Sequence, residues 1–120
     1  GNLGADDAKG YDAPFPSNES MAGARQFPSL VPIIPDNPAI PANRDAWKVL
    51  ENWVKPFLTA FSDSDPVTAV AHVRFQESVP GAKNQDHVTI EGVGHFLQEQ
   101  APAALSEAVI EFIKNNPLPT

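Results

Sequence analysis

The hydrophobic and polar positions of this chain become regular after about residue 43. Asn43 can cap a helix from about Arg44 to Trp53, in which the apolar residues fall near one face. Pro56 precedes an apolar run at 57–61, and turn residues follow that run. A short apolar run between turn residues is typical of a buried parallel strand. The pattern therefore predicts a helix followed by a strand.

The remaining positions repeat this alternation. Residues from about Val67 to Ser78 are predicted to be helical in part, with Pro80 and Gly81 ending that segment. His87 to Ile90 predicts a second short strand, and Pro102 to Asn115 predicts a final helix with one apolar stripe. Helices that alternate with strands indicate a parallel α/β sheet with right-handed crossovers.

Prolines are concentrated in the first third of the chain. Seven of the thirteen prolines fall between residues 14 and 41, a density that excludes a long helix or a central strand. We expect mostly loop and short helical turns there. Apolar residues within this stretch favour a packed loop over disorder, provided that a partner surface buries them. These residues are Tyr11, Phe15, Phe27, Leu30, Val31, Ile33 and Ile34. The chain is thus divided into regions 1–42 and 43–120.

Two predicted strands are too few for a stable sheet. A strand that is apolar throughout needs helices on both faces and neighbours at both edges. The sequence therefore predicts that further sheet is supplied by an upstream segment or by another polypeptide.

Composition and charge exclude several functional classes. The chain has 120 residues and 42% hydrophobic residues, enough for one small domain or a piece of a larger one. A net charge of −7 makes nucleic-acid binding unfavourable, and no apolar run is long enough to span a membrane. The absence of cysteine removes disulfides and thiolate catalysis. No signal-peptide pattern follows Gly1, so a cytoplasmic location is expected.

Candidate catalytic groups follow both predicted strands. Asp65 lies just after the first strand, and His95 lies thirty residues later, after the second, in a turn containing Gly92 and Gly94. The carboxyl ends of parallel strands meet at one edge of a sheet, so we expect the two side chains to be close. An acid followed by a histidine is the order in which α/β-hydrolases supply the last two members of a catalytic triad.

Other readings of these residues remain open. Asp63 competes with Asp65 for the role of the acid, but its alternative role is that of a turn or cap carboxylate, and we favour Asp65 as the acid. His72 and His87 are expected to be structural or exposed. Together with Asp86 they could be imagined as a metal site, but no helical or turn spacing supports one, so we expect no metal there.

Four segments of the chain resemble the C-terminal part of haloalkane dehalogenases. They occur in the family's order, and the resemblance runs from about residue 11 to residue 116. The segments are YDAPFP at 11–16, AGARQFP at 22–28, PFLTAFSDSDP at 56–66 and GVGHFLQE at 92–99. The resemblance implies the C-terminal portion of an α/β-hydrolase fold. Region 1–42 would be the end of the cap and a Pro-rich connecting loop, and region 43–120 the last strands and helices of the core.

The resemblance also implies a chemistry. In that family an aspartate displaces halide from a haloalkane and forms an alkyl-enzyme ester, which water then hydrolyses without a cofactor. His95 matches the histidine that activates the water, and Asp65 matches the carboxylate that orients this histidine. Five further residues match positions that line the substrate and halide pocket, namely Phe27, Pro28, Val31, Val67 and Phe96.

The sequence departs from the family pattern in more than one respect. It contains neither a Gly-x-Asp-x-Gly nor a Gly-x-Ser-x-Gly elbow for the nucleophile, and the tryptophan that follows the family's nucleophile is absent as well. Packing explains Trp47 and Trp53 better than halide contact does. We therefore expect the chain alone to be inactive and to need the N-terminal part of the hydrolase as its partner. A fragment of an epoxide hydrolase or an esterase, or a non-catalytic piece or subunit, remains an alternative.

Overall fold

A computed structural model describes residues 4–68 and 70–117 of the chain. Its internal contacts divide the chain into two units, Gly1–Asp45 and Ala46–Thr120. The first unit contains helix α1 (Ala5–Asp12), helix α2 (Ala22–Gln26) and a 3-10 helix at Phe27–Leu30. Helix α3 (Ile40–Leu50) begins in this unit and ends in the second.

The first unit differs in detail from the expected loop. Helix α1 has eight residues, more than a short turn, because it lies before Pro14 and no proline interrupts it. The apolar side chains of Phe27, Leu30 and Ile33 are exposed on this chain. A packed loop in this region stays a prediction, since it depends on a partner surface.

Helix α3 begins four residues before its predicted start. Asn37 Oδ1 accepts a hydrogen bond from the N–H of Ala39 at 2.9 Å, so Asn37 turns the chain into the helix instead of Asn43. Pro41 is tolerated because the first helical turn needs no N–H donor from it.

The second unit contains a two-stranded sheet, and in the order of the sequence each strand is preceded and followed by a helix. Strands β1 (Ala60–Ser62) and β2 (Val88–Ile90) are parallel, with Ala60 opposite Val88 and Ser62 opposite Ile90, which confirms the predicted parallel pairing. Helix α4 (Ala71–Ser78) and a 3-10 turn (Pro80–Ala82) connect the strands. Helices α5 (Leu97–Gln100) and α6 (Pro102–Asn115) follow them, and α6 has the predicted bounds.

Strand β1 lies further along the chain than the apolar run at 57–61 predicts. The N–H of Phe57 donates to the carbonyl oxygen of Gly81 at 2.9 Å, so the start of the run pairs with the 3-10 turn. The N–H of Thr59 donates to Nδ1 of His87 at 3.1 Å, and Nε2 of His87 lies 3.0 Å from the carbonyl oxygen of Ala82. His87 thus bridges the backbone of Thr59 and that of Ala82 through its two ring nitrogens.

Aromatic packing supports this arrangement. Trp47 stacks on Phe75 with ring centroids 5.1 Å apart, and Phe57 stacks on the same ring at 5.7 Å. The guanidinium of Arg74 lies 3.5 Å from the Trp47 ring centroid, in a cation–π contact. Such pairs add to the burial of apolar area, so this stack holds helix α4 against the segment that leads into β1.

Gly81 lies buried where two backbone segments cross. Its N–H donates to the carbonyl oxygen of Trp53 at 2.8 Å, and an added Cβ would lie only 1.8 Å from the carbonyl oxygen of Lys55. We expect Gly81→Ala to lower the free energy of unfolding by about 3 kcal/mol, because backbone rather than a flexible side chain must move. Urea denaturation measures this loss.

Gly10→Ala is the control for this prediction. Gly10 lies inside α1, and nothing lies within 4 Å of an added Cβ. Alanine there should be neutral or stabilise by about 0.5–1 kcal/mol through helix propensity. Equal effects of the two substitutions would contradict the close crossing at Gly81.

Two general properties complete the description. None of the helices within the described ranges has both the length and the apolar character required to cross a bilayer. The described residues also contain no group of three or more His, Asp or Glu side chains arranged to hold a metal ion.

Candidate catalytic site

The loops that follow β1 and β2 bring Asp65 and His95 together. Nδ1 of His95 lies 3.0 Å from Oδ1 and 3.1 Å from Oδ2 of Asp65. The side chain of Asp65 is only 5% exposed, whereas that of His95 is 45% exposed. The acid is therefore enclosed by the protein, and the imidazole is open to solvent or to a bound molecule.

The carboxylate of Asp65 is held by the start of the next segment. The hydroxyl of Thr68 donates to Oδ2, and the N–H of Val67 donates to Oδ1 at 2.8 Å. The hydrogen bond from Thr68, together with those from Val67 and His95, holds the pKa of Asp65 well below its usual range. Sequence reasoning missed Thr68, although a hydroxyl three residues after an aspartate is a recognisable turn signal.

This geometry determines which ring nitrogen of His95 carries the proton. An ionised carboxylate accepts hydrogen bonds and cannot donate them, so Nδ1 carries the proton that points to Asp65. In the neutral ring, Nε2 then holds the free lone pair. That nitrogen can accept a proton from water or another acid, and Asp65 stabilises the imidazolium that results.

Asp63 accepts hydrogen bonds from the turn and not from His95. Its Oδ1 accepts hydrogen bonds from the hydroxyl of Ser64 at 2.9 Å and from the N–H of Gly92 at 2.8 Å. The bond from Ser64, ahead of the one from Gly92, lowers the pKa of Asp63. Gly92 has φ +72°, a left-handed conformation that favours glycine, so the second loop can present its N–H to Asp63.

The loops are also joined by backbone hydrogen bonds that extend past the strands. The N–H of Asp63 donates to the carbonyl oxygen of Ile90, and the N–H of Ser64 donates to that of Val93, both at 3.2 Å. These hydrogen bonds continue the register of the parallel strands into the two loops. The separation between acid and histidine is thus set by the sheet.

The two predicted pocket residues of the second unit lie near this pair. Phe96 packs its ring edge-to-face with the imidazole of His95, with centroids 5.3 Å apart, and is exposed. Val67 is 71% exposed, and its backbone N–H donates a hydrogen bond to Asp65. Contact with substrate stays a prediction for both.

The other three predicted pocket residues lie in the first unit. Phe27 and Pro28 belong to the 3-10 helix, and Val31 follows its last residue. Phe27 is 72% exposed and Val31 is also exposed, so their apolar groups are open for contact. Their role in a pocket stays a prediction.

No protein-family model matches the chain, but several curated proteins do. The chain is 51% identical over 107 residues to a haloalkane dehalogenase of Psychrobacter cryohalolentis, a match that covers 89% of the chain and 35% of the relative. It is 48% identical over 103 residues to a haloalkane dehalogenase of Mycobacterium marinum, covering 86% of the chain and 34% of the relative. Haloalkane dehalogenase 1 of Mycobacterium tuberculosis is 47% identical over 103 residues, with the same coverage. The chain thus spans about a third of the length of these relatives.

Proposed function

Because the chain belongs to the haloalkane dehalogenase family over the third of the family's length that it matches, we propose that it supplies the acid and base of a dehalogenating hydrolase. The small parallel sheet is then part of an α/β-hydrolase fold. The observation that carries the proposal is the Asp65–His95 hydrogen bond at the carboxyl end of two parallel strands.

The first proposed step takes place on a carboxylate outside this chain. A carboxylate is a competent nucleophile at neutral pH, so it can attack the halogen-bearing carbon without prior deprotonation. A carbon–oxygen bond forms, the carbon–halogen bond breaks, and the halide leaves with the electron pair. The product of this step is an alkyl ester on the enzyme.

His95 acts in the second proposed step. Nε2 removes a proton from water while the water oxygen attacks the ester carbonyl carbon. On collapse of the tetrahedral intermediate the bond between the carbonyl carbon and the alkyl oxygen breaks, the departing oxygen takes the proton of the added hydroxyl and leaves as the alcohol, and the carboxylate is restored. The imidazolium then returns its proton to solvent, and Asp65 stabilises the positive charge while it exists.

The proposal requires the rest of the hydrolase as a partner. The strands of the described sheet have three residues each, and helix α6 exposes Val109, Ile110 and Ile113. A short parallel sheet with open edges and uncovered apolar helices needs neighbouring strands and helices. The remaining N-terminal part of the hydrolase would provide them, together with the nucleophile. The cytoplasmic location stays a prediction.

Halide release by the complete enzyme tests the proposed reaction. We expect 1-bromobutane to yield bromide and 1-butanol in equal amounts with the complete enzyme, and no bromide above the buffer rate with the 120-residue chain alone. A p-nitrophenyl ester and a terminal epoxide are the matched comparison substrates. Turnover of either without bromide release would favour the esterase or epoxide hydrolase alternative, and bromide release by the chain alone would contradict the need for a nucleophile from elsewhere.

A further inference from the structure

Both polar backbone groups of Gly94, the residue before His95, are held by side chains. The hydroxyl of Ser62 donates to the carbonyl oxygen of Gly94 at 2.9 Å. The N–H of Gly94 donates to Oε1 of Gln100 at 2.7 Å. Two successive peptide groups, one entering Gly94 and one leaving it towards His95, are therefore anchored from opposite sides.

These two hydrogen bonds restrict the backbone rotation that a glycine in the turn would otherwise allow. Glycine has no side chain to restrict φ and ψ, so an unanchored Gly94 would let the following residue rotate. The imidazole of His95 is nearly half exposed, so enclosure by neighbouring side chains does not fix it either. The orientation of His95 thus depends on its bond to Asp65, on the edge-to-face contact with Phe96 and on the peptide group that precedes it.

Ser62 connects this peptide group to the strand that carries the acid. It is the last residue of β1, lies opposite Ile90 and is only 4% exposed. Asp65 follows three residues later in the same loop. A single strand end therefore positions both members of the pair, since Ser62 holds the backbone of the histidine loop while Asp65 holds the ring.

Gln100 holds the loop from the other side. It is the last residue of helix α5, and its side chain reaches back six residues to the N–H of Gly94. Gln98 lies on the same helix and is exposed. Residues two positions apart on a helix face different directions, so only one of the two glutamines is placed to bind the loop.

We propose that Ser62 and Gln100 are positioning residues for His95, which set the direction of Nε2 through the peptide groups of Gly94. The proposal rests on the proposed function, in which Nε2 activates the water that hydrolyses the alkyl ester. Neither side chain takes part in the chemistry itself. Loss of either one should slow ester hydrolysis and leave formation of the ester unchanged.

Rapid-quench kinetics on the complete enzyme test this. With 1-bromobutane, Gln100→Leu and Ser62→Ala should keep the rate of the first bromide burst and lower the subsequent steady-state rate roughly 10- to 100-fold, the range expected for small displacements of a catalytic group. Gln100→Glu keeps an oxygen acceptor for Gly94 and should restore most of the rate. Gln98→Leu is the matched control and should behave as the unsubstituted enzyme does.

A second measurement does not depend on turnover. The Nδ1–H proton of His95 is observable by NMR, and its exchange with solvent should accelerate in Gln100→Leu and Ser62→Ala but not in Gln100→Glu or Gln98→Leu. If burst, steady state and proton exchange are all unchanged in Gln100→Leu, an exposed site where folding is preserved, the positioning role is wrong. If the unsubstituted enzyme releases neither bromide nor 1-butanol from 1-bromobutane while proton exchange responds as stated, the positioning role holds and the proposed reaction fails.

Discussion

Replacement of His95 by phenylalanine in the complete enzyme is expected to stop the reaction at the alkyl ester. In the proposed reaction the first step needs no base, because a carboxylate attacks directly, whereas water must lose a proton to attack the ester. We expect one equivalent of halide and then a steady-state rate lowered roughly 10²- to 10⁴-fold, the usual contribution of a general base. Intact-protein mass spectrometry should show the added mass of one alkyl group.

His72→Phe is the matched control for this experiment. The imidazole of His72 lies against Phe61 with ring centroids 5.5 Å apart, and phenylalanine keeps an aromatic ring at that place. This variant should turn over and retain no alkyl adduct. Normal turnover by His95→Phe would show that another group is the base.

Replacement of Asp65 by asparagine is expected to have a comparably large effect. The amide of asparagine can donate a hydrogen bond to Nδ1, which moves the histidine proton to Nε2 and removes the lone pair that accepts a proton from water. The corresponding change in a Ser-His-Asp triad lowers kcat about 10⁴-fold, so we expect a loss of about 10³- to 10⁴-fold in ester hydrolysis. Single-turnover measurement of alcohol release gives this rate.

Asp63→Asn distinguishes the two candidate acids. Its remaining carbonyl oxygen can still accept the N–H of Gly92, so we expect a loss below about tenfold. A larger loss for Asp63→Asn than for Asp65→Asn would mean that the acid is assigned to the wrong residue.

The lowered pKa of Asp65 determines how this pair responds to acid. A carboxyl group whose pKa is lower in the folded state than in the unfolded state stabilises the fold above its unfolded pKa, about 3.9 for aspartate. That stabilisation is lost as the pH falls through the folded pKa, which lies below the usual range. Asp65 therefore stays ionised at neutral and mildly acidic pH, and we expect that its protonation does not limit the proposed ester hydrolysis there.

Local sequence signals were sufficient to predict the bounds of elements whose ends are marked by proline. The bounds of α6 follow from its apolar stripe together with Pro102 at its start and Pro117 beyond its end. Such signals failed where a tertiary contact decides the boundary. The strand predicted at 57–61 is instead a three-residue strand at Ala60–Ser62, because Phe57 and Thr59 bond to Gly81 and His87.

In the candidate site, too, some features were predicted from the sequence and others depend on tertiary contacts. Alternating apolar runs and turns predicted that an acid and a histidine would follow neighbouring parallel strands, and the comparisons with known proteins confirm the family that the four segments indicate. Thr68, Ser62 and Gln100 were not foreseen, because each acts through a hydrogen bond that depends on orientation. Spacing along a chain reveals which residues can reach one edge of a sheet, but not the direction in which their donors and acceptors point.

The amino-acid sequence by itself determined the α/β alternation, the parallel pairing of two strands and the family resemblance, because these depend on periodicity and on short ordered segments. The family resemblance favoured Asp65 over Asp63, but only the tertiary structure showed that Asp65 contacts His95 and that the peptide groups of Gly94 are anchored on both sides. The physical reason is that both aspartates follow the same strand within three positions. Their roles separate only when the turn directs one carboxylate to the backbone of Gly92 and the other to an imidazole.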